Sequence, residues 1–313
     1  MSLHPEAVAL LDVLAAAGLP PFEHMTVPQA RSAAQGFIPL QGSPEKVESI
    51  REQSVPGPGG DIPIRIYTPA GAGPHPVITY FHGGGWVIGD LDIVDTPLRA
   101  LANRTGAVVV SVSYRRAPEH HCPAALDDAI AATEWVSRNV EQLNADPARL
   151  TVAGDSAGAT LAAGVTLAAR EFGGPAIAAQ ILIYPVTDFD FTRLSYQENA
   201  EGKLLTPASM QWFWAHYLGA SDLPDFPYAL PNRVADLSDL PPAFVATAEC
   251  DVLRDEGEAY AANLASAGVR TDAERYDGLI HGFFWALGAL PSGTRILDDI
   301  ASFLATISAE QPA

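Results

Sequence analysis

The chain has 313 residues, 48% of them hydrophobic and 18% charged, which supplies apolar material for a sizeable core and excludes a disordered chain. At about 150 residues per domain, the length fits one large domain with a smaller appendage. Acidic residues number 37 against 18 basic ones, for a net charge of -19 at pH 7, and such a surface repels phosphate backbones and anionic lipid heads, so neither nucleic acid nor a membrane is an expected partner.

From Pro5 to Leu19, Ala7, Leu10, Leu11, Leu14 and Ala15 recur at helical spacing, and Gly18 and Pro20 close the segment. A weaker helix is expected after Pro28. Val47 to Val55 and Ile62 to Thr68 alternate like strands around Pro56-Gly-Pro-Gly-Gly-Asp61, the pattern of an antiparallel hairpin. Strands then alternate with helices, as in βαβ units around a mostly parallel sheet. The strands are Pro76 to Phe81, Ala107 to Ser113, Leu150 to Ala153, Ile177 to Tyr184, Pro242 to Ala248 and Val269 to Tyr276. The helices lie near Pro97 to Asn103, Ala124 to Val140, Ala157 to Glu171, Glu256 to Ala267 and Arg295 to Ile307. Unbroken apolar runs such as Val108-Val-Val suit strands covered on both faces. In the helix from Ala124, the residues Leu126, Ile130, Thr133, Val136 and Val140 mark the expected buried stripe.

More than fifty residues separate Tyr184 from Pro242, too many for an ordinary αβ loop. Thr206-Pro207 starts a helix there, made aromatic by Met210, Trp212, Phe213, Trp214 and Tyr217. The segment is expected to pack with the N-terminal helices as a lid. The chain thus divides into an N-terminal cap part (1–46), a catalytic domain in two parts (47–187 and 236–313) and an inserted cap segment (188–235).

Cys122 and Cys250 are too few for a disulfide scaffold and are not spaced for zinc. The N-terminus lacks a basic, apolar leader, and no run of about 18 apolar residues occurs. The expected location is therefore a reducing cytoplasm.

Gly154-Asp-Ser156-Ala-Gly158 follows a strand directly and precedes a helix directly, the context of a nucleophile elbow. The tight turn needs glycine on either side, and it holds Ser156 clear of the sheet at the positive end of the next helix. A serine hydroxyl attacks only when an adjacent base takes its proton. In this fold the order is serine, acid, histidine, which leaves His216 and His281 downstream of Ser156. His216 lies in the inserted aromatic helix, whereas His281 follows the last strand, at the sheet edge where such sites form. Asp251, just after the strand ending at Ala248, suits the acid that orients the imidazole, with Glu249 as the alternative. Asp255 and Glu256 read as first-turn residues of the next helix. An oxyanion needs backbone donors: Ala157, next to the nucleophile, and the loop His82-Gly83-Gly84-Gly85-Trp86 after its strand supply them. Gly84 and Gly85 are favoured as loop donors, with Gly83 as the alternative, and His82 as an anchor of the loop.

Four segments in this order resemble the hormone-sensitive-lipase-like family of bacterial carboxylesterases, in its GDSAG branch. They are Tyr80-Phe-His-Gly-Gly-Gly-Trp-Val-Ile-Gly89, Tyr114-Arg-Arg-Ala-Pro-Glu-His120, Gly154-Asp-Ser-Ala-Gly158, and Asp251-Val-Leu-Arg-Asp-Glu-Gly257 with His281-Gly-Phe. The resemblance implies an α/β-hydrolase fold with an eight-stranded sheet, a helical cap, no cofactor or metal, short-acyl ester substrates, and support of the site by Glu119 and Asp155. The expected substrate pocket includes Trp86, Tyr184, Trp212 and Trp214. Ala159, Ser113 and Arg116 depart from the family pattern, where glycine, aspartate and leucine are usual. A binding protein on an inactive hydrolase scaffold, as in plant gibberellin receptors, would lack the histidine that His281 supplies here. Amidase and lactonase chemistry would use the same residues, and the oligomeric state, a homodimer included, is left open.

Overall fold

The computed structural model describes residues 2–18, 20–221 and 227–310. Eight strands among them form one sheet in the order β1 (Ser49–Gly57), β2 (Gly60–Thr68), β4 (Val108–Val112), β3 (His75–Phe81), β5 (Ala145–Asp155), β6 (Ala179–Ile183), β7 (Ala243–Cys250) and β8 (Thr271–Ile280). Only β2 runs against its neighbours; every pairing from β4 through to β8 is parallel. Val108, Val109 and Val110 are fully buried, as expected where both faces of a parallel sheet are covered. At the edge, β8 has no outer neighbour, and the stretch from Asp272 to Arg275 is exposed.

Several boundaries differ from the sequence-based expectation. The first hairpin is tighter, because pairing continues to Gly57 and Gly60 and leaves Pro58-Gly59 as a two-residue loop. β5 begins earlier, at Ala145, which pairs with His75 before a register shift. The first helix, α1 (Pro5–Ala16), stops short of Leu19, a position outside the described residues, as are residues 222–226 of the inserted segment.

Helices α3 (Asp95–Thr105) and α9 (Arg295–Glu310) pack together, as do α4 (Ala124–Arg138) and α5 (Ala157–Phe172), while α8 (Arg254–Ser266) covers β7. The buried face of α4 is formed by Ala125, Leu126, Ala129, Ala132, Thr133 and Val136, whereas Ile130 and Val140 are only half-buried. Leu126 of this face reaches α5 at Gly164, where a Cβ would lie 2.8 Å from its Cδ1, so the stripe combines small residues with Leu126 and Val136. Asp128 is buried on the same face because the Arg115 guanidinium grips it, Nη2 to Oδ1 at 2.8 Å.

The remaining helices gather at the carboxyl ends of the strands. His4 N–H donates to Gly278 O near the end of β8. Arg31 of α2 (Val27–Ala34) donates from Nε to Val87 O, just past β3, at 2.9 Å. Phe22, in a 3₁₀ turn Phe22–His24, meets Phe213 of α7 (Pro207–Leu218), which follows the short helix α6 (Leu194–Glu198). No helix among the described residues is long and apolar enough to cross a membrane.

Candidate active site

The turn from β5 to α5 is set by glycine. A Cβ on Gly154 would lie 2.4 Å from Gly158 C, and one on Gly158 would lie 2.0 Å from Phe81 O. Both obstacles are backbone that cannot swing aside, so the crossing of β5, α5 and the end of β3 requires hydrogen at these positions. Ser156 between them takes φ 54° and ψ -121°, a conformation that costs on the order of 1–3 kcal/mol for a residue with a Cβ. The strain is held by Ser156 N–H donating to Ile183 O at 2.8 Å.

The serine hydroxyl lies 3.0 Å from His281 Nε2, and His281 Nδ1 lies 2.7 Å from Asp251 Oδ2. Nδ1 facing a carboxylate carries the proton, so Nε2 presents its lone pair to the hydroxyl. The other oxygen of Asp251 accepts from Leu253 N–H at 3.0 Å, which fixes the carboxylate at the end of β7. Glu249, the alternative acid, faces away and accepts from Gly278 N–H at 2.7 Å. His216 is remote from this chain, its ring packed edge-on against Trp212 at 4.3 Å.

The glycine loop divides its three N–H groups. Gly83 donates to Asp155 Oδ1 at 2.9 Å, which removes it from the expected donor set. Among the described residues the N–H groups of Gly84, Gly85 and Ala157 have no protein acceptor, and Gly84 and Gly85 line the same cavity as Ser156 and His281. His82 anchors the loop. It is fully buried, its Nδ1 lies 2.7 Å from Gly83 O, its ring stacks on Tyr114 at 4.5 Å, and Tyr114 OH donates to its carbonyl at 2.7 Å. Burial pushes the His82 imidazole down to about 4, so it stands neutral at pH 7.

The arrangement can pass a proton from a hydroxyl to an imidazole beside unused backbone donors, the requirement of acyl transfer. A family model of the α/β-hydrolase fold matches residues 78–285. The chain is 45% identical over 250 residues to esterase LipI of Mycobacterium tuberculosis, covering 78% of each chain. It is 35% identical to ethyl acetate hydrolase of Pseudomonas putida over 300 residues, covering 90% of this chain and 92% of the relative. The solved structure of the ester-hydrolase EH1AB1 from the metagenome of Lake Arreo superposes with a TM-score of 0.93 at 39% identity, covering 97% of this chain and 98% of that one. The chain belongs to the α/β-hydrolase family, among its hormone-sensitive-lipase-like carboxylesterases.

The cavity beside Ser156 has a lining other than the one expected for the substrate pocket. Phe22, Phe37, Ile88, Leu204, Leu205, Met210, Phe213 and Trp285 line the cavity with the residues already named, and Trp86, Tyr184, Trp212 and Trp214 do not. Trp86 is buried beneath α7, stacked on Tyr217 at 4.1 Å and tilted against Trp214 at 4.6 Å. Met210 and Phe213, three residues apart, share the face of α7 that turns to Ser156, so helical phase decides which aromatics reach it. Tyr184 packs behind the imidazole, ring centroids 4.7 Å apart. No sequence pattern marks Phe22 or Phe37 as pocket residues, whereas Trp285 falls one turn past His281.

The two carboxylates expected to support the site stand in different settings. Asp155 is buried, accepts from Tyr80 OH at 2.8 Å as well as from Gly83, and is raised to about 6 by burial. Glu119 instead forms a two-pronged pair with Arg31, at 2.8 and 2.6 Å, on the surface beside α2. Arg116 donates to Gly89 O beyond the glycine loop.

Glu256 is more than a first-turn residue. It is fully buried, and Oε1 accepts from the N–H groups of Thr187 (2.8 Å) and Asp188 (3.3 Å) at the root of the inserted segment. Its backbone carbonyl accepts from Thr187 Oγ1 and Asn232 Nδ2, both at 2.8 Å, so it ties the two ends of that segment together. Burial pushes its carboxyl up to about 8, against about 4.3 in an unfolded chain. The folded state therefore holds this proton between those values while the unfolded state does not, and its contribution to stability is lost as pH rises through that window. Glu256→Gln is expected to flatten the decline of the urea midpoint between about pH 5 and pH 8, as read by unfolding at several pH values.

Proposed function

We propose that the chain hydrolyses short-acyl esters through an acyl-enzyme on Ser156. Ser156 Oγ attacks the ester carbonyl carbon while its proton passes to His281 Nε2, and Asp251 stabilises the resulting imidazolium. The oxyanion is received by the N–H groups of Gly84, Gly85 and Ala157. His281 then gives its proton to the departing alcohol, and a water, activated by the same nitrogen, returns the acid and the free serine. The observation that carries this reading is the unbroken chain from Asp251 Oδ2 through His281 to Ser156 Oγ, with spacings of 2.7 and 3.0 Å. Residues 1–46 and 188–235 act as the cap, over the catalytic parts 47–187 and 236–313.

The short-acyl preference is supported by the size of the cavity, about 40 Å³, against the ~10–15 Å³ that one water needs. Its walls are mostly apolar, with Asp155, Ser156 and His281 as the polar side chains, which suits an unsubstituted acyl group. A panel of p-nitrophenyl esters from acetate to palmitate tests both parts. The expected kcat/KM is highest for the shortest chains and falls toward palmitate. A rise toward palmitate would overturn the chain-length reading, and absence of turnover with every ester would overturn the whole.

A further inference from the structure

The roof of the acyl cavity is built from two segments far apart in the sequence. Phe22 and Phe213 meet with ring centroids 5.3 Å apart and planes at 54°, and both line the cavity. Phe213 also presses on the glycine loop, so closely that a Cβ on Gly85 would lie 2.3 Å from its ring. The residue beside Phe22 supplies the connection. Glu23 Oε2 accepts from Ser209 Oγ at 2.5 Å, and its Oε1 accepts from Thr206 Oγ1 at 3.3 Å. Thr206 is the N-cap of α7, its Oγ1 accepting from Ser209 N–H at 3.0 Å. The Glu23 carboxylate therefore stands at the first turn of a helix, where unpaired N–H groups favour an anion. Ser209 is fully buried, so water competes poorly for this contact.

We infer that Glu23 is a positioning residue for substrate selection, whose carboxylate latches the N-terminal segment to the first turn of α7 and so holds the Phe22–Phe213 roof over the acyl cavity. The inference rests on the reading of that cavity as the acyl site. The Glu23 side chain bonds to Thr206 and Ser209 and to no residue of β5, β7 or β8, the strands that carry Ser156, Asp251 and His281. Releasing the latch unpins the roof and leaves the proton relay in place. The smallest acyl groups then lose the wall they pack against, while longer ones gain room. Discrimination falls, and the rate of the bound, smallest ester does not.

The test compares Glu23→Ala, Glu23→Gln and Ser209→Ala with the wild-type chain on p-nitrophenyl acetate, butyrate and octanoate, with kcat and KM measured separately. Loss of a hydrogen bond to a charged group is expected to raise the acetate KM of Glu23→Ala about tenfold while kcat stays within about threefold. The octanoate-to-acetate ratio of kcat/KM should rise with it. Glu23→Gln keeps an acceptor oxygen and should fall between wild type and alanine, and the Glu23→Ala/Ser209→Ala double variant should add nothing to Glu23→Ala. Should Glu23→Ala fail to fold, Ser209→Ala removes the same bond from the helix side and should shift the ratio in the same direction. An unchanged octanoate-to-acetate ratio in the folded variants, or equal losses of kcat on all three esters, overturns the latch. If the wild-type chain prefers acetate and Ser156→Ala is inactive, that failure belongs to the latch alone. If the wild-type chain shows no preference for short esters, the acyl-site reading itself fails.

Discussion

Alanine at Ser156 or at His281 is expected to lower kcat on a short ester by about 10⁴-fold or more, each nearly as severe alone as the two together, because the groups act as one unit. The hydroxyl without Nε2 has no acceptor for its proton, and Nε2 without the hydroxyl has nothing to activate. Neither side chain carries the fold, so circular dichroism should be unchanged. Asp251→Asn is expected to cost about 10⁴-fold as well, since an amide facing Nδ1 removes the charge that holds the tautomer. Glu249→Gln serves as the control, because Glu249 accepts from Gly278 N–H and does not face the imidazole. Retention of more than about a tenth of the activity in His281→Ala, where loss of the base should be near total, would remove His281 from the mechanism.

Gly84→Ala is expected to lower kcat by about 10²–10³, equivalent to ~2.7–4 kcal/mol, the effect of losing one oxyanion donor. The cause is visible in the backbone. Gly84 has φ 109°, and a Cβ there would lie 2.3 Å from Ile88 O. A side chain must therefore turn the peptide that presents the donors, and backbone on the opposing side cannot yield. KM should move little, because the ground-state carbonyl uses these donors less than the oxyanion does. Ser156 should still react with a small organophosphate, which separates a lost donor from a lost nucleophile. Gly85→Ala, at φ 57° and against the Phe213 ring, should lower kcat through the donor and raise KM through the roof, while a Cβ on Gly83 would lie 2.3 Å from Asp155 Oδ2 and should loosen the loop anchor. Wild-type kcat in folded Gly84→Ala would place the donors elsewhere.

Most of the scaffold was legible in residue order because the relevant forces are local. Apolar runs such as Val108-Val-Val fit a strand covered on both faces, Thr206-Pro207 opens α7, and glycines stand at 154 and 158, two positions of the elbow that no side chain could occupy. The same logic picked out Ser156, Asp251 and His281, since each falls just past a strand and the geometry of a parallel sheet gathers those ends. What composition and spacing could not decide were questions of direction. The phase of α7 sends Met210 and Phe213 to the cavity and Trp214 to a core stack with Trp86. Gly83, identical in sequence to its two neighbours, differs because Asp155 claims its N–H. Glu256 sits in the first turn of α8, as its position suggests, yet it is buried because the inserted segment closes over it. In each case the outcome depends on which distant segment packs against the residue. The sequence by itself determined the fold and the order of the three candidate site residues through local propensity and strand ends; the tertiary structure alone decided the lining of the cavity beside them, because burial and hydrogen bonding between remote segments are properties of the packed chain.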